Sequence, residues 1–156
     1  MAAQVERFIG YLAERRPLCL DSCVLIYHLE GLERYAELTT ALLVAAGKGE
    51  IPCLISTLAV AEIMVRPLQA SKKGQVAVLE SFLVETPGLE LVALDYEIAK
   101  TAAGLRARRR LATPDALLVA TGIARGAKAF LSNDLALKKQ VGEEIEVVIL
   151  DDFVSG

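Results

Sequence analysis

The sequence has few of the residues on which zinc hydrolases and membrane proteins depend: one histidine, three cysteines and no long apolar run. His28 alone cannot anchor a histidine-rich site, which argues against zinc chemistry of the hydrolase type. Cys19, Cys23 and Cys53 lie in apolar segments without metal-type spacing, so we expect reduced, buried thiols. No segment approaches the roughly 18 uninterrupted apolar residues of a membrane span. The first residues, MAAQVERFIGYLAERR, lack a signal-peptide core and cleavage site, so we expect a cytoplasmic protein.

The composition indicates a single domain with a surplus of apolar surface. A chain of 156 residues is long enough to bury a core of its own. Apolar residues make up 54% of the chain, and the mean hydropathy is +0.44. This surplus favours an interface between protein chains over contact with a bilayer.

The net charge of −3 does not indicate a nucleic-acid binder, but the basic residues are unevenly spread. A tight run shortly before Asp115 contains Arg106, Arg108, Arg109 and Arg110. A basic run is usually a solvated helix face. Its closeness to a candidate acidic site raises the alternative that it contacts a phosphate backbone.

Short apolar segments alternate with helical patterns along the chain, which predicts parallel strands joined by helices. The predicted strands cover residues 18–20, 51–55, 89–94, 128–131 and 145–150. The predicted helices cover about residues 4–15, 22–30, 32–46, 57–67, 72–84, 96–108, 113–126 and 133–140. The fold class is therefore α/β, with helices on both faces of a mostly parallel sheet.

Four carboxylates lie in or beside apolar segments, where ionised side chains are hard to place. These four acids are Asp21 in LCLDSCVLIY, Glu62 in STLAVAEIMV, Asp115 in TPDALLVATG and Asp134 in AFLSNDLAL. An isolated charge in such surroundings carries a large desolvation cost unless it is paired or binds a metal. Functional sites of parallel α/β folds form at the carboxyl ends of the strands. The sequence therefore predicts one acidic cleft that holds divalent cations.

Each of the four acids also has an ordinary structural explanation. Asp21 and Asp134 could cap the helices that follow them, and Asp115 could interact with the dipole of the helix that it begins. Glu62 could pair with Arg66 one helical turn away. The neighbours of Glu62 are apolar in all directions, which predicts a helix that is buried nearly all round.

Three segments resemble the motifs of the PIN-domain ribonucleases, in particular the VapC-type toxins of toxin–antitoxin pairs. A strand, an acid, a small polar residue and Val-Leu-Ile-Tyr are found in CLDSCVLIYHLEG, and a strand ending in Ser before a Glu-bearing helix in ISTLAVAEIMVRPL. The third motif, from a helix-starting Asp to a strand ending in Ser-Asn-Asp, is found in PDALLVATGIARGAKAFLSND. The likeness extends to the closing VVILDDF, although Cys23 stands where the family often has Asn or Ser.

The resemblance implies a three-layer α/β/α PIN-like fold with about five short strands. The PIN-like nuclease domain would span residues 17–156, after an N-terminal helical extension at residues 1–16. The resemblance also implies Mg²⁺- or Mn²⁺-dependent hydrolysis of RNA phosphodiesters, with one or two ions held by the four acids. It further implies a cognate antitoxin and a homodimer.

Other side chains are expected to assist the four acids. Ser22, Ser132 and Asn133 are candidates to support them through hydrogen bonds, and the arginine run is the candidate RNA contact. The alternative function is a non-toxin PIN-like protein that acts in RNA processing, or that binds RNA with weak or no catalysis.

Two other aspartate-dependent classes fit the sequence less well. Aspartyl-nucleophile phosphatases also place an Asp after the first strand, but they use a second acid two positions on, where this chain has Cys23. A receiver-type phosphoacceptor would need an adjacent acidic pair near the first strand, which this sequence lacks.

Overall fold

Five short strands form one sheet: β1 (Leu18–Leu20), β2 (Cys53–Ser56), β3 (Leu89–Val92), β4 (Ala129–Ser132) and β5 (Glu146–Ile149). They pair in the order β3-β2-β1-β4-β5, and all four pairings are parallel. The structure is a computed structural model that describes residues 2–154. The predicted parallel sheet of about five short strands is confirmed.

Eight α-helices are found in the described residues. They are α1 (Ala2–Ala13), α2 (Ser22–Leu29), α3 (Glu33–Gly47), α4 (Thr57–Gln69), α5 (Lys73–Glu85), α6 (Tyr96–Arg108), α7 (Thr113–Ala124) and α8 (Leu135–Val141). A 3₁₀ turn, Leu150–Phe153, follows β5. Within residues 2–154, no helix has the length and apolar character required to span a membrane.

The strand order places a crevice between the carboxyl ends of β1 and β4. The chain moves outward from β1 to β2 and β3, and then returns to the other side of β1 to form β4 and β5. Ligands of parallel α/β sheets bind at such a switch point. Leu20 of β1 is in register with Leu131 of β4, so the next residues, Asp21 and Ser132, lie side by side at this crevice.

The strands are apolar throughout because helices cover both faces of the sheet. Leu18, Leu20, Phe130 and Leu131 are each fully buried. Helix α7 approaches β1 closely, since a Cβ atom added at Gly122 would lie only 2.8 Å from Cys19 Cβ. The core therefore holds β1 and β4 firmly beneath the crevice.

The three cysteines are free thiols, as predicted, and Cys19 and Cys53 are buried. Burial raises the pKa of both thiols to about 12. Cys23 is only partly buried, and desolvation likewise raises its pKa to about 12. His28 packs between helices, with Nδ1 at 3.1 Å from Thr39 Oγ1, and burial lowers its pKa.

Helix α1 packs against the last strand and the 3₁₀ turn. Phe8 of α1 is fully buried, and its ring centroid lies 5.2 Å from that of Phe153 in an edge contact. Arg15 Nε donates to both carboxylate oxygens of Glu146, at 3.0 and 2.9 Å. The predicted N-terminal helix is therefore part of the same packed core.

Helix α4 differs from the prediction in its length. We predict an end near Pro67, but the helix continues to Gln69. Proline removes its own N–H and crowds the carbonyl one turn earlier, but the residues after it still bond, since Ala70 N–H donates to Arg66 O at 3.0 Å. The last turn therefore forms despite the proline.

Helix α4 is also not buried all round, so that prediction is wrong. Ala59 and Ile63 are buried against the protein, whereas Val65 and Leu68 are 46% and 60% exposed. Glu62 is likewise exposed. The apolar residues of α4 form two faces, and only one of them is covered by this chain.

Candidate active site

Asp21 lies at the carboxyl end of β1, where two hydrogen bonds fix its carboxylate. Ser132 Oγ donates to Asp21 Oδ2 at 2.7 Å, and the Ser22 backbone N–H donates to Asp21 Oδ1 at 2.8 Å. The second bond makes Asp21 the N-cap of α2. The capping explanation is therefore correct, but it accounts for only one of the two carboxylate oxygens.

Ser132 joins Asp21 to the turn that carries Asp134. The buried Ser132 Oγ accepts a hydrogen bond from the Asp134 N–H at 3.1 Å while it donates to Asp21. Asp134 Oδ1 accepts from the Leu137 N–H at 3.0 Å and so caps α8. The predicted supporting role of Ser132 has a direct structural basis.

Asp115 and Glu62 approach the same crevice from two other helices. Asp115 is in the first turn of α7 and partly buried, and Glu62 is exposed on α4. After desolvation, the charge of Asp21 raises the pKa of both side chains. The charge of Asp134 adds to the rise for Asp21 and Asp115, and the charge of Asp115 adds to the rise for Glu62. The four acids therefore face one region, although they come from four separate segments.

Asp21, Glu62 and Asp115 are harder to ionise than free carboxyl groups, because burial and then neighbouring carboxylates raise their pKa values. Desolvation raises the pKa of Asp21, hydrogen bonds from Ser132 and Ser22 oppose this rise, and Asp134 adds to it. Desolvation, followed by the charge of Asp21, raises the pKa of Glu62, and the Ser22 side chain acts in the opposite direction. Desolvation and then the charges of Asp21 and Asp134 raise the pKa of Asp115. Ionisation of these three acids is therefore opposed unless a cation offsets their charge.

No basic side chain of residues 2–154 forms an ion pair with any of the four acids. Arg66, the alternative partner of Glu62, instead pairs with Glu30 across a distance of 2.7 Å. The ion-pair explanation of Glu62 is therefore wrong. Ser22 is a weaker support than Ser132, because its Oγ lies 3.4 Å from Asp21 Oδ1, beyond the usual length of an O–H···O bond.

The chemistry of the four acids fits a hard divalent cation. Carboxylate oxygens are the ligands that Mg²⁺ and Mn²⁺ prefer, and Mg²⁺ binds through one or two carboxylates while it keeps several waters. In the described part of the chain, no three Asp, Glu, His or Cys side chains form a ready-made group that could hold a metal.

Asn133 supports a different contact from the one that we predict. Its Nδ2 donates to Tyr35 Oη at 3.0 Å, and its Oδ1 accepts from the Asp151 N–H at 3.0 Å. The side chain thus bonds to α3 and to the 3₁₀ turn, and not to the four acids. Tyr35 and Asp151 are neighbours of the site that the sequence analysis missed, since no local pattern connects them to it.

Most of the arginine run is engaged in contacts within the protein. Arg108 and Arg109 pair with Glu144 at 2.8 and 3.0 Å, and Arg106 Nε donates to Leu111 O at 3.1 Å. Arg110 is exposed and has no ion pair or hydrogen bond within residues 2–154. The phosphate contact stays a prediction, and Arg110 is its most available member.

A groove of about 870 Å³ opens beside Glu62 between α2, α4 and α5. Apolar side chains such as Ile26, Ile63 and Val78 line it, and Glu30 and Arg66 lie at its margin. A second cavity of about 680 Å³ follows the open edge of β5 and contains none of the four acids. The first groove therefore borders the candidate site at Glu62, whereas Asp21, Asp115 and Asp134 do not line it.

Three solved structures have a similar fold at low sequence identity. VapBC2 from Rickettsia felis, bound to a DNA fragment from their promoter, has a TM-score of 0.66 and 18% identity, covering 85% of this chain and 97% of that chain. A toxin–antitoxin complex from Klebsiella pneumoniae has a TM-score of 0.62, 19% identity and the same coverages of 85% and 97%. FitAcB from Neisseria gonorrhoeae has a TM-score of 0.63 and 17% identity, again covering 85% and 97%. No curated protein matches the sequence.

The fold and the site define an α/β domain with an acidic crevice at the switch point of a parallel sheet. The sequence also matches the family model of the PIN domain over residues 18–142. The chain belongs to the PIN-domain family, and the predicted resemblance and fold class are confirmed. PIN domains are generally nucleases, and such nucleases generally use divalent metals.

Proposed function

We propose that this protein is a metal-dependent endoribonuclease that hydrolyses RNA phosphodiester bonds. The observation that carries the proposal is the group of four acids at one crevice, without a basic partner in the described chain. Such a group needs a cation to offset its charge. Membership of a family of nucleases supports the same reaction class.

In this mechanism Asp21, Glu62 and Asp115 would be the principal residues that hold Mg²⁺ or Mn²⁺, directly or through water. Asp134 would complete a second site or orient the attacking water. A bound ion would offset charge on the phosphate and make water a stronger nucleophile at neutral pH. Ser132 holds Asp21 in place throughout, and in-line attack leaves 5′-phosphate and 3′-hydroxyl ends.

The test is cleavage of structured RNA by the purified protein with Mg²⁺ or Mn²⁺. Asp21→Asn and Asp115→Asn should abolish cleavage and keep the fold, as judged by circular dichroism. Asp95→Asn is the matched control, because Asp95 caps α6 and pairs with Arg125 away from the crevice. Full activity of both crevice variants in the presence of metal would refute the mechanism.

We also propose that RNA is held by the arginine run, with Arg110 as the principal contact. Arg110→Ala should weaken RNA binding and reduce the slope of its salt dependence by about one counterion. Arg108→Ala breaks an ion pair within the protein, and is expected to change binding less. If Arg110→Ala binds RNA as the wild type does across a salt titration, the run is only a solvated helix face.

We further propose that the protein is the cytoplasmic toxin of a VapBC-type toxin–antitoxin pair and acts as a homodimer. The apolar groove beside Glu62 suits a segment of an antitoxin, and the exposed apolar face of α4 suits a second copy of the chain. A small reading frame next to this one, encoding a DNA-binding protein, would support the pair. Sedimentation as a monomer at micromolar concentration would contradict the dimer.

The second candidate function is a non-toxin PIN-domain protein of RNA processing, or an RNA-binding module with weak or no catalysis. The observation that favours it is the lack of a ready-made group of three metal ligands among the described residues. The cleavage assay separates the nuclease from a non-catalytic module, because only the nuclease loses a metal-dependent activity on Asp21→Asn. The neighbouring reading frame separates a toxin from a non-toxin protein of RNA processing.

A further inference from the structure

We propose that Tyr35, Asn133 and Asp151 form a positioning device for the turn that carries Ser132 and Asp134. The proposal rests on the nuclease function proposed above, because it concerns how that site is held. Asn133 is the residue between Ser132 and Asp134, so whatever fixes Asn133 also fixes both of its neighbours.

The three side chains form a closed ring of hydrogen bonds. Tyr35 Oη donates to Asp151 Oδ1 at 2.7 Å, and Asn133 Nδ2 donates to Tyr35 Oη at 3.0 Å. The Asp151 backbone N–H closes the ring by donating to Asn133 Oδ1 at 3.0 Å. Each donor faces an acceptor, so the amide of Asn133 has a single orientation that satisfies all three bonds.

The ring is anchored by packing and charge on both of its sides. Tyr35 is buried, and its ring stacks on Tyr27 with centroids 4.4 Å apart and an angle of 11° between planes. Arg34 Nε lies 3.5 Å from Asp151 Oδ1 and adds a charge on the solvent side. The side chain of Asn133 is therefore held by hydrogen bonds between helix α3 and the 3₁₀ turn.

The position of Asn133 affects the crevice through its two neighbours in the chain. Ser132, on one side of Asn133, donates to the Asp21 carboxylate and accepts from the Asp134 N–H. Asp134, on the other side, begins α8. A rotation of the backbone at Asn133 would therefore change the positions of Ser132 and Asp134 together and disturb two of the four acids.

The 3₁₀ turn is itself held by the N-terminal helix. Arg7 Nη2 donates to Asp152 O at 3.0 Å, and the Arg7 guanidinium lies 4.7 Å from the centre of the Phe153 ring. Helix α1 and the 3₁₀ turn both lie outside the segment that matches the PIN family, residues 18–142. Elements on both sides of the matched segment therefore help to fix the turn that carries Ser132 and Asp134.

The experiment measures Mn²⁺ binding by calorimetry without RNA, together with thermal unfolding of each variant. Tyr35→Phe and Asp151→Ala should weaken Mn²⁺ affinity by about 10- to 100-fold, as for other residues that orient metal ligands. Asp151→Asn keeps an acceptor for the Tyr35 hydroxyl and should restore most of the affinity. Asp151 has a side chain that is 47% exposed, so its variants remain informative should Tyr35→Phe fail to fold.

Tyr11→Phe is the matched control. Tyr11 Oη donates to Glu146 Oε2 at 2.7 Å, the same length as the Tyr35–Asp151 bond, but at the opposite end of β5 from the crevice. It should lower the unfolding temperature in a similar way and leave Mn²⁺ affinity unchanged. A purely structural role for the ring would give Tyr35→Phe and Tyr11→Phe the same affinity as the wild type.

The outcomes separate this proposal from the proposed function. If the wild type binds Mn²⁺ and cleaves RNA, but Tyr35→Phe and Asp151→Ala bind Mn²⁺ normally, the positioning role is overturned and the function stands. If the wild type neither binds Mn²⁺ nor cleaves RNA, the function is overturned and the positioning role with it. The proposal would also be contradicted if Asp151→Asn weakened Mn²⁺ affinity as much as Asp151→Ala does. The acceptor for the Tyr35 hydroxyl would then have no effect on metal binding.

Discussion

Removal of the Ser132 hydroxyl should weaken both the stability and the metal affinity of this protein. Ser132→Ala removes a 2.7 Å hydrogen bond to the Asp21 carboxylate and a 3.1 Å bond from the Asp134 N–H. The side chain is fully buried, so no water replaces the lost hydroxyl without rearrangement. The exposed Asp134 can recover its bond from solvent, and the Asp21 bond therefore dominates the effect.

A hydrogen bond to a charged group contributes about 1.5–3 kcal/mol. We therefore expect the free energy of unfolding at neutral pH to fall by about 1.5–3 kcal/mol. In a protein of this size the unfolding temperature should fall by about 3–12 °C. Ser22→Ala is the comparison variant, because the 3.4 Å contact of Ser22 Oγ with Asp21 is too long for a strong bond, and the other acid that this hydroxyl affects, Glu62, is exposed. It should cost no more than about 0.5 kcal/mol.

The same change has a defined effect on pH dependence. Ser132 lowers the pKa of Asp21 against the rise that desolvation causes. Without the hydroxyl the pKa of Asp21 is higher, so protons compete with Mn²⁺ at a higher pH. The acid limb of Mn²⁺ binding, measured by calorimetry at several pH values, should therefore move upward in Ser132→Ala. Equal losses in the two serine variants, or an unmoved acid limb, would refute this reasoning.

Three further variants test other parts of the structure. Burial and neighbouring carboxylates raise the pKa of Asp115 above its ordinary value of 3.8, so the folded state loses stability as the pH rises from that value. Asp115→Asn should remove this loss of stability in thermal unfolding without metal. An unchanged dependence of unfolding temperature on pH would contradict the crowding of charge. Gly122→Ala places a Cβ 2.8 Å from Cys19 Cβ and should cost about 1–3 kcal/mol in denaturant unfolding, so a neutral result would show that α7 is free to shift. Leu68→Glu, at a side chain that is 60% exposed, should abolish the proposed dimer in sedimentation and leave monomer stability within about 0.5 kcal/mol; a persistent dimer would place the interface elsewhere.

The sheet and the location of the acids could be predicted from the sequence because both follow from local patterns. Continuous apolar segments identify buried parallel strands, and the residue after such a strand lies at the carboxyl edge. Asp21 and Asp134 were therefore assigned to the right edge without knowledge of tertiary contacts. Their capping roles followed from the same local positions.

The errors concern contacts that a local pattern does not contain. The apolar residues around Glu62 indicate that a helix avoids water, but they do not say whether this chain or another covers it. The partners of Asn133 are 98 and 18 positions away in the sequence, and no periodicity connects them. Arg66 illustrates the same limit, because it pairs with Glu30, the residue that follows α2, and not with the acid one turn away on its own helix.

The contact between Phe8 and Phe153 has a consequence for how the boundaries of this protein are drawn. It joins residues 145 positions apart, so the unit that folds is larger than the unit that defines the family, residues 18–142. A chain trimmed to the family unit would lose β5 and leave the backbone of β4 as an unprotected edge, which favours aggregation.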